Sequence, residues 1–527
     1  MKPTLEQADI TDHASGMVPG DCLKIIAFAG AGKTTTLKGI ASAKKERGVY
    51  LAFNKSIADE AKRKLAITPC TAATMHSLAF QAVRDMIGQP LSINARTIRD
   101  SGVMERFHIP KVDGWNGYRV SLAVGRALSA FCNSADESFG LHHGEEALMD
   151  SVGDPDFIRD RKKREQAQDA IQRLGMPIFQ MAEALWEHYL EKGEMSHDMY
   201  LKAMDLNEDI RHSAFSSFRY LMVDEAQDIN PVQRSIITKT GLPLIAVGDP
   251  YQQIYSWRGA ENALGLLEGE TKYLTQSFRF GENIAEVARH ILATRPDGGP
   301  TQRLVGLGGR MPTDLTGPKA AVICRTNMGM IDEALKGMRK GIPIHVDNMA
   351  GLLADVRSAQ ALHDGRMGDV TTPELKVFDS WADLQIEAEE GDQTLARLST
   401  LIEEGMAHQI ERLAEHQARG SNDAKMMICT AHRSKGLEWP AVMLGADWRD
   451  VNALSKRFAK AEQKSEKHKT QAMEEFNALY VAATRPIVQL RGETRILFPE
   501  PDPEWSHLAA NPDDVPPDYV PPDYANA

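Results

Sequence analysis

The sequence predicts an α/β fold built on parallel sheets, and three observations predict it. The first is the stretch Lys24-Ile25-Ile26-Ala27-Phe28-Ala29-Gly30-Ala31-Gly32-Lys33-Thr34-Thr35-Thr36. Here an apolar run rich in β-branched residues breaks into small residues and then into Lys-Thr-Thr, the order of a strand, a phosphate loop and a helix start. The second is the alternation that follows. A helix over about 35–42, a buried strand at Val49-Tyr50-Leu51-Ala52-Phe53, a helix over 56–65 and a segment Cys70-Thr71-Ala72-Ala73-Thr74-Met75-His76-Ser77 succeed one another at the spacing of a parallel sheet with crossovers. The third is that the pattern resumes at Tyr220-Leu221-Met222-Val223 and Leu244-Ile245-Ala246-Val247, after a mainly helical, amphipathic stretch.

Composition sets the outer limits. The chain has 527 residues, 42% hydrophobic and 25% charged, which suits a globular protein with two to four domains. Its first twenty residues carry Glu6, Asp9 and Asp12 without an apolar block, and no later run reaches the length of a membrane span. The expectation is a soluble intracellular protein, cytoplasmic and, in a bacterium, nucleoid-associated, with no membrane partner. Cys22, Cys70, Cys132, Cys324 and Cys429 show no paired spacing, so they are expected as reduced thiols in or near cores rather than as disulfides or a zinc site. The formal charge of −12 excludes a globally basic polyanion binder. Any nucleic-acid contact must come from local basic and aromatic positions.

The phosphate loop carries the first chemistry. Gly30 and Gly32 let backbone N–H groups curl around phosphate oxygens, and the helix that follows points its positive end at them. Lys33 reaches the β- and γ-phosphates, and the Thr34 hydroxyl is placed to ligate magnesium. Ala27 stands where the usual pattern begins with Gly. Upstream, Gln7 has the donor and acceptor to read an adenine edge, although by itself it is equally a surface glutamine. The apolar run ending at Val223 delivers Asp224 and Glu225 in succession. Adjacent side chains on an extended backbone diverge, so Asp224 is assigned to the magnesium shell and Glu225 to the activation of the attacking water. After the next strand comes Gly248-Asp249-Pro250-Tyr251-Gln252-Gln253-Ile254-Tyr255-Ser256-Trp257-Arg258-Gly259-Ala260. Gln252 is suited to sense a γ-phosphate, while Tyr255 and Trp257 offer either flat faces for base stacking or ordinary core packing.

At this point the series of motifs resembles the superfamily 1 DNA helicases of the UvrD/Rep/PcrA type. Within them it is most similar to the F-box DNA helicase branch, through Ile25 to Leu37 and Leu51-Ala52-Phe53-Asn54-Lys55, although no F-box segment is recognisable. The resemblance implies two RecA-like motor domains, each with a mainly helical insertion. It implies ATP and magnesium as cofactors, with Ala29, Gly30, Ala31, Gly32, Lys33, Thr34 and Thr35 forming the nucleotide loop. Gln276-Ser277-Phe278-Arg279-Phe280 falls where the family places an aromatic on adenine, here Phe278, and an arginine on the γ-phosphate, here Arg279. In Met426 to Trp439 the same comparison puts Thr430 and His432 near DNA and Glu438 at the ribose, and in Glu475 to Arg485 it supplies Arg485 as a second arginine for the transferring phosphoryl group. Arg279 and Arg485 would act from across a cleft, so hydrolysis would require domain closure. Phe53, Asn54, Thr74, His76, Tyr255, Trp257, Arg258, Thr430 and His432 are the expected DNA track, with Phe53 and Trp257 as stacking platforms.

The expected organisation is a first motor domain over 1–95 and 212–275 interrupted by a helical insertion over 96–211. A second motor domain follows over 276–348 and 425–500, interrupted by a short helical insertion over 349–424, and then a Pro-rich acidic tail over 501–527. The basic run Arg161-Lys162-Lys163-Arg164 fits a solvated helix face better than a phosphate contact, and the same holds for Lys456, Arg457, Lys460, Lys464, Lys467 and Lys469. The tail, with its tandem Val-Pro-Pro-Asp-Tyr, is expected to be disordered, with a docking peptide for a protein partner as the other reading. The function expected from the resemblance is an ATP-dependent translocase and helicase on single-stranded DNA and ss/ds junctions, moving 3′ to 5′, in repair, recombination or replication. Two alternatives stay open: a translocase that strips DNA-bound proteins with little unwinding, and an ATP-gated DNA-binding subunit of a larger complex, for example in defence.

Overall fold

The computed structural model describes residues 2–87, 92–93, 117–155, 158, 161–256, 259–311, 317–389, 393–417, 421–463 and 466–492. The expected tail over 501–527 and Lys464 of the second basic run lie outside the described residues. The chain divides into two compact units. The first comprises Met1–Ala27 and Gly32–Leu274; the second comprises Phe28–Ala31 together with the chain from Thr275 onward.

The first unit is built on a six-stranded sheet. Its strands are β1 (Cys22–Ala27), β2 (Gly48–Ala52), β3 (Cys70–Thr74), β4 (Tyr220–Val223), β5 (Leu244–Gly248) and β6 (Glu270–Leu274), in the order β3-β2-β4-β5-β1-β6. Every pairing is parallel. Strands β2, β4 and β5 are buried along their whole length. That burial is why they read as unbroken apolar runs and not as alternating ones, since crossover helices cover both faces of a parallel sheet. Because the strands run the same way, the ends of β1, β2, β4 and β5 bring their following loops to one edge, where open α/β sheets hold their ligands.

The helices between β3 and β4 do not form a separate core. Helix Gly117–Asn133, the 32-residue helix Arg161–Lys192 and helix His197–Leu206 contribute Leu128, Leu174 and Leu201 to the same apolar cluster as Val49, Leu51 and Val223 of the sheet. At the start of the long helix Arg161 pairs with Glu165 one turn on and is largely exposed, the geometry of a solvated face.

The second unit has a five-stranded sheet of β7 (Ala320–Cys324), β8 (Ile344–Val346), β9 (Met426–Thr430), β10 (Trp439–Leu444) and β11 (Pro486–Arg491), ordered β8-β9-β7-β10-β11 and again parallel throughout. The segment between β8 and β9 folds as helices Met349–His363, Trp381–Glu389, Gln393–Glu403 and Ala407–His416. Their Leu352, Leu384, Leu401 and Leu413 join Val322, Ile344 and Ile428 in one core.

Candidate nucleotide and nucleic-acid site

β1 runs into the candidate phosphate loop, and Gly30 and Gly32 adopt φ of 73° and 81°. These left-handed values are open to glycine at no steric cost, so the loop can turn back into helix Lys33–Ala43, which begins two residues earlier than the sequence suggests. Lys33 is the first residue of that helix. Its Nζ donates to both carboxylate oxygens of Glu225, at 2.9 Å each. Burial works against the ammonium charge, but Glu225, Asp224 and Asp249 outweigh it and raise the Lys33 pKa.

Asp224 and Glu225 follow β4 directly, but the expectation of an extended backbone through the pair requires correction. Glu225 has φ 51° and ψ 43°, a left-handed conformation rare outside glycine. The chain turns at this residue, so divergence of the two carboxylates comes from the turn and not from strand alternation. Glu225 faces Lys33, while Asp224 accepts the hydroxyl of Tyr50 from the neighbouring strand β2 and the Glu225 N–H at 3.0 Å. Burial, and then the charge of Glu225, push the Asp224 carboxyl above its usual pKa, against the pull of Lys33 and Tyr50. Burial also raises Asp249. Three carboxylates act electrostatically on one ammonium, an oxygen donor set whose chemistry fits magnesium, with Asp224 and the half-buried Thr34 as its candidate holders.

A buried amide that sequence reasoning missed ties this edge together. Gln227 Nε2 donates to Glu225 Oε2 at 2.7 Å and to Asp228 Oδ2 at 3.1 Å, and its Oε1 accepts the Asp249 N–H at 3.1 Å. A side chain at Gly248 would overlap that oxygen. Gln252 is buried, and its Nε2 donates to Asp249 Oδ2 at 2.7 Å. The available signal was Gln227 flanked by Glu225 and Asp228. Tyr50 gave none, because a tyrosine inside an apolar strand reads as core.

Other predicted residues sit as follows. Gln7 is buried in the first turn of helix Leu5–Gly16, where its Oε1 accepts the Thr4 N–H at 3.1 Å in a capping box. Asn54 caps helix Lys55–Leu65 by accepting the Ile57 N–H. Thr74 ends β3, and its Oγ1 accepts the Ser77 N–H. His76 packs edge-on against His197 and Tyr200, and burial lowers its pKa. Phe53 stacks on Tyr255, ring centroids 5.7 Å apart and planes 15° from parallel. Trp257 and Arg258 lie outside the described residues.

In the second unit, Arg279 Nε donates to Glu438 Oε2 at 2.7 Å and its Nη1 to Thr484 O at 3.0 Å. Phe278 is exposed, and its N–H donates to Gly30 O at 2.9 Å. Arg485 is almost wholly buried, and its guanidinium reaches the carbonyls of Val481 and Leu437. Thr430 ends β9 buried, with His432 half-buried in the turn of helix that follows.

Two family patterns match the chain. The UvrD/REP helicase N-terminal domain covers residues 126–271 and the UvrD-like helicase C-terminal domain residues 313–491. The chain belongs to the UvrD/REP helicase family. Among curated relatives, this UvrD-type chain is 28% identical over 515 residues to F-box DNA helicase 1 of Gallus gallus, covering 92% of this chain and 48% of the relative. It is 27% identical over 517 residues to F-box DNA helicase protein 1 of Schizosaccharomyces pombe, covering 89% and 55%. DNA helicase IV of Escherichia coli is 25% identical over 335 residues, covering 54% and 47%. The chain therefore spans about half the length of these relatives. Among the described residues, no helix is long and apolar enough to cross a membrane.

Proposed function

We propose that this chain is an ATP-dependent motor on single-stranded DNA, a translocase and helicase. The observation that carries the reading is the Lys33–Glu225 pair at the sheet edge, with Asp224 held beside it, in a member of the UvrD/REP helicase family. Names of relatives as DNA helicases support the polymer, and the 3′ to 5′ direction follows from resemblance to the UvrD-type group.

In this reading the loop N–H groups and Lys33 bind the triphosphate, and Glu225 takes a proton from the attacking water. Binding of the γ-phosphate would draw Lys33 off Glu225, leaving the carboxylate able to act as base. Magnesium, when bound, would neutralise charge on the β- and γ-phosphates; Asp224 and Thr34 would hold it. Gln252 senses the γ-phosphate through its link to Asp249. We assign Gln7, Phe278 and Glu438 to the nucleoside, and Arg279 and Arg485 to the charge that builds on the transferring phosphoryl group. We assign Phe53, Asn54, Thr74, His76, Tyr255, Trp257, Arg258, Thr430 and His432 to the DNA, the aromatics stacking on bases and the cations and polar groups meeting the backbone. Ends of duplex at ss/ds junctions are the proposed loading points, and the 501–527 tail the proposed contact for a protein partner.

The deciding experiment is ATP hydrolysis with and without single-stranded DNA, with Lys33→Ala as control. Strong stimulation that the variant loses supports a DNA-coupled motor. Hydrolysis indifferent to DNA sinks this reading and favours an ATP-gated subunit licensed by a partner.

A further inference from the structure

Away from the sheet edge, the turn that joins helix Gly117–Asn133 to helix Leu141–Val152 gathers three side chains on one point. Asp136 Oδ2 lies 2.9 Å from His142 Nε2 and 3.1 Å from His143 Nε2, and the three ligand atoms all lie within 4.8 Å of one another. We propose that this turn is a binding site for one exchangeable transition-metal ion of the Zn2+ class, with Asp136, His142 and His143 as its protein ligands.

His143 separates this arrangement from an ordinary surface cluster. Its side chain is 2% exposed, yet its Nε2 makes no hydrogen bond among the described residues. A buried polar nitrogen left in that state is costly. Aimed at a carboxylate oxygen without bonding to it, the atom is placed as a lone-pair donor would be. Its other nitrogen, Nδ1, lies 3.1 Å from both the Gly140 N–H nitrogen and the Gly140 carbonyl oxygen. Nδ1 thus meets a donor and an acceptor of Gly140, which fixes the ring, and metal binding selects the tautomer whose proton sits on Nδ1, donated to the carbonyl, leaving Nε2 unprotonated.

The donor set decides the class of ion. Two imidazole nitrogens and one carboxylate oxygen suit zinc and its neighbours, whereas magnesium and calcium prefer oxygen alone. Asp136 and His142 are half exposed, so the ion's remaining position faces water. The turn is already held in place: Lys202 donates to the backbone oxygens of Ser134 and Asp136, and the Asp136 N–H donates to Ser134 Oγ. The Lys202 ammonium and the positive end of the second helix both oppose a cation. They make the site weaker than a closed four-ligand structural centre, hence exchangeable.

The residue that ends the helix before this turn is bonded to the segment after the sheet edge. Asn133, three residues before Asp136, accepts the Asn230 side-chain amide at 2.5 Å, and Asn230 caps helix Pro231–Lys239 just after the Asp224–Asp228 segment. An ion that clamps the turn stiffens one end of that link.

The test uses full-length protein stripped with a chelator, free of nucleotide and magnesium, and titrated with Zn2+ against a chromophoric chelator. Wild type is expected to take up one equivalent and to melt at a higher temperature once saturated. Asp136→Asn and His142→Ala both alter half-exposed side chains. In each, with an unchanged circular-dichroism spectrum, affinity should fall by about 10-fold or more and the melting shift should vanish. Uptake in both variants with the stoichiometry and affinity of wild type would place the zinc elsewhere, on the cysteines or the nucleotide site, and overturn the assignment. So would a wild type that takes up no Zn2+ before it precipitates.

Discussion

Lys33 Nζ sits between the two carboxylate oxygens of Glu225, 2.9 Å from each. The group proposed to reach a triphosphate and the group proposed to accept a proton therefore neutralise each other. In the proposed mechanism neither acts until a phosphate competes for the ammonium. Glu225→Gln is expected to bind ATP as well as wild type or better, since it releases Lys33, while turnover falls by about 10²–10³-fold. Nucleotide affinity by fluorescence and hydrolysis by phosphate release check the two halves, and near-normal turnover would remove Glu225 from the base role.

Tyr50 reaches Asp224 from the adjacent strand and fixes the rotamer of the proposed magnesium holder. Tyr50→Phe keeps the ring in the core and deletes only the hydroxyl. The magnesium concentration for half-maximal hydrolysis should rise by roughly 10-fold, with metal-free nucleotide binding unchanged. A magnesium titration that superimposes on wild type would assign Tyr50 to packing alone.

Phe53 and Tyr255 cover one another's faces. If bases stack on this pair, Phe53→Ala should weaken single-stranded DNA binding by about 1–3 kcal/mol, roughly 5- to 150-fold in Kd, with ATP affinity retained. Fluorescence anisotropy with a labelled oligonucleotide reads this directly. A DNA affinity equal to wild type, together with a lower melting temperature, would mean that the stack serves stability only.

Arg325 binds the buried carboxylate of Glu475, its Nε donating at 2.6 Å to Oε2. Burial alone would raise the Glu475 pKa, but Arg325 outweighs it and holds the carboxyl below its usual value. A depressed carboxylate contributes stability in full above its unfolded pKa of about 4.3, and that contribution is lost as pH falls through the lower folded value. Melting temperature should therefore drop more steeply below about pH 4.3 in wild type than in Glu475→Gln. The variant should also lose about 3 kcal/mol at neutral pH, because Arg325 is left without its partner. Parallel pH profiles in both proteins would discount the pair.

Much of the proposed nucleotide edge was legible in the chain itself, because it is local. Gly30, Gly32, Lys33 and Thr34 are contiguous, and the apolar runs before Gly30, Asp224 and Asp249 mark buried strands that deliver them. Periodicity and turn chemistry act over a few residues, so one sequence carries them. The helical stretches were legible as helices for the same reason. That they share their cores with the sheets was not.

By itself, then, the sequence determined the parallel α/β class, the strand, glycine turn and helix of the proposed phosphate loop, and the succession of motifs that marks the family. Tertiary structure alone decided which of those residues meet. It turned Glu225 left-handed onto Lys33, brought Tyr50 to Asp224 across two strands separated by the whole helical segment, and used Gln227 to join the loops after β4 and β5. It also engaged Gln7 and Asn54 as helix caps and pointed the buried His143 at Asp136. The physical reason is that hydrogen-bond partners of buried polar groups are set by strand order and register, which pair residues far apart in the chain, and no local pattern encodes that distance.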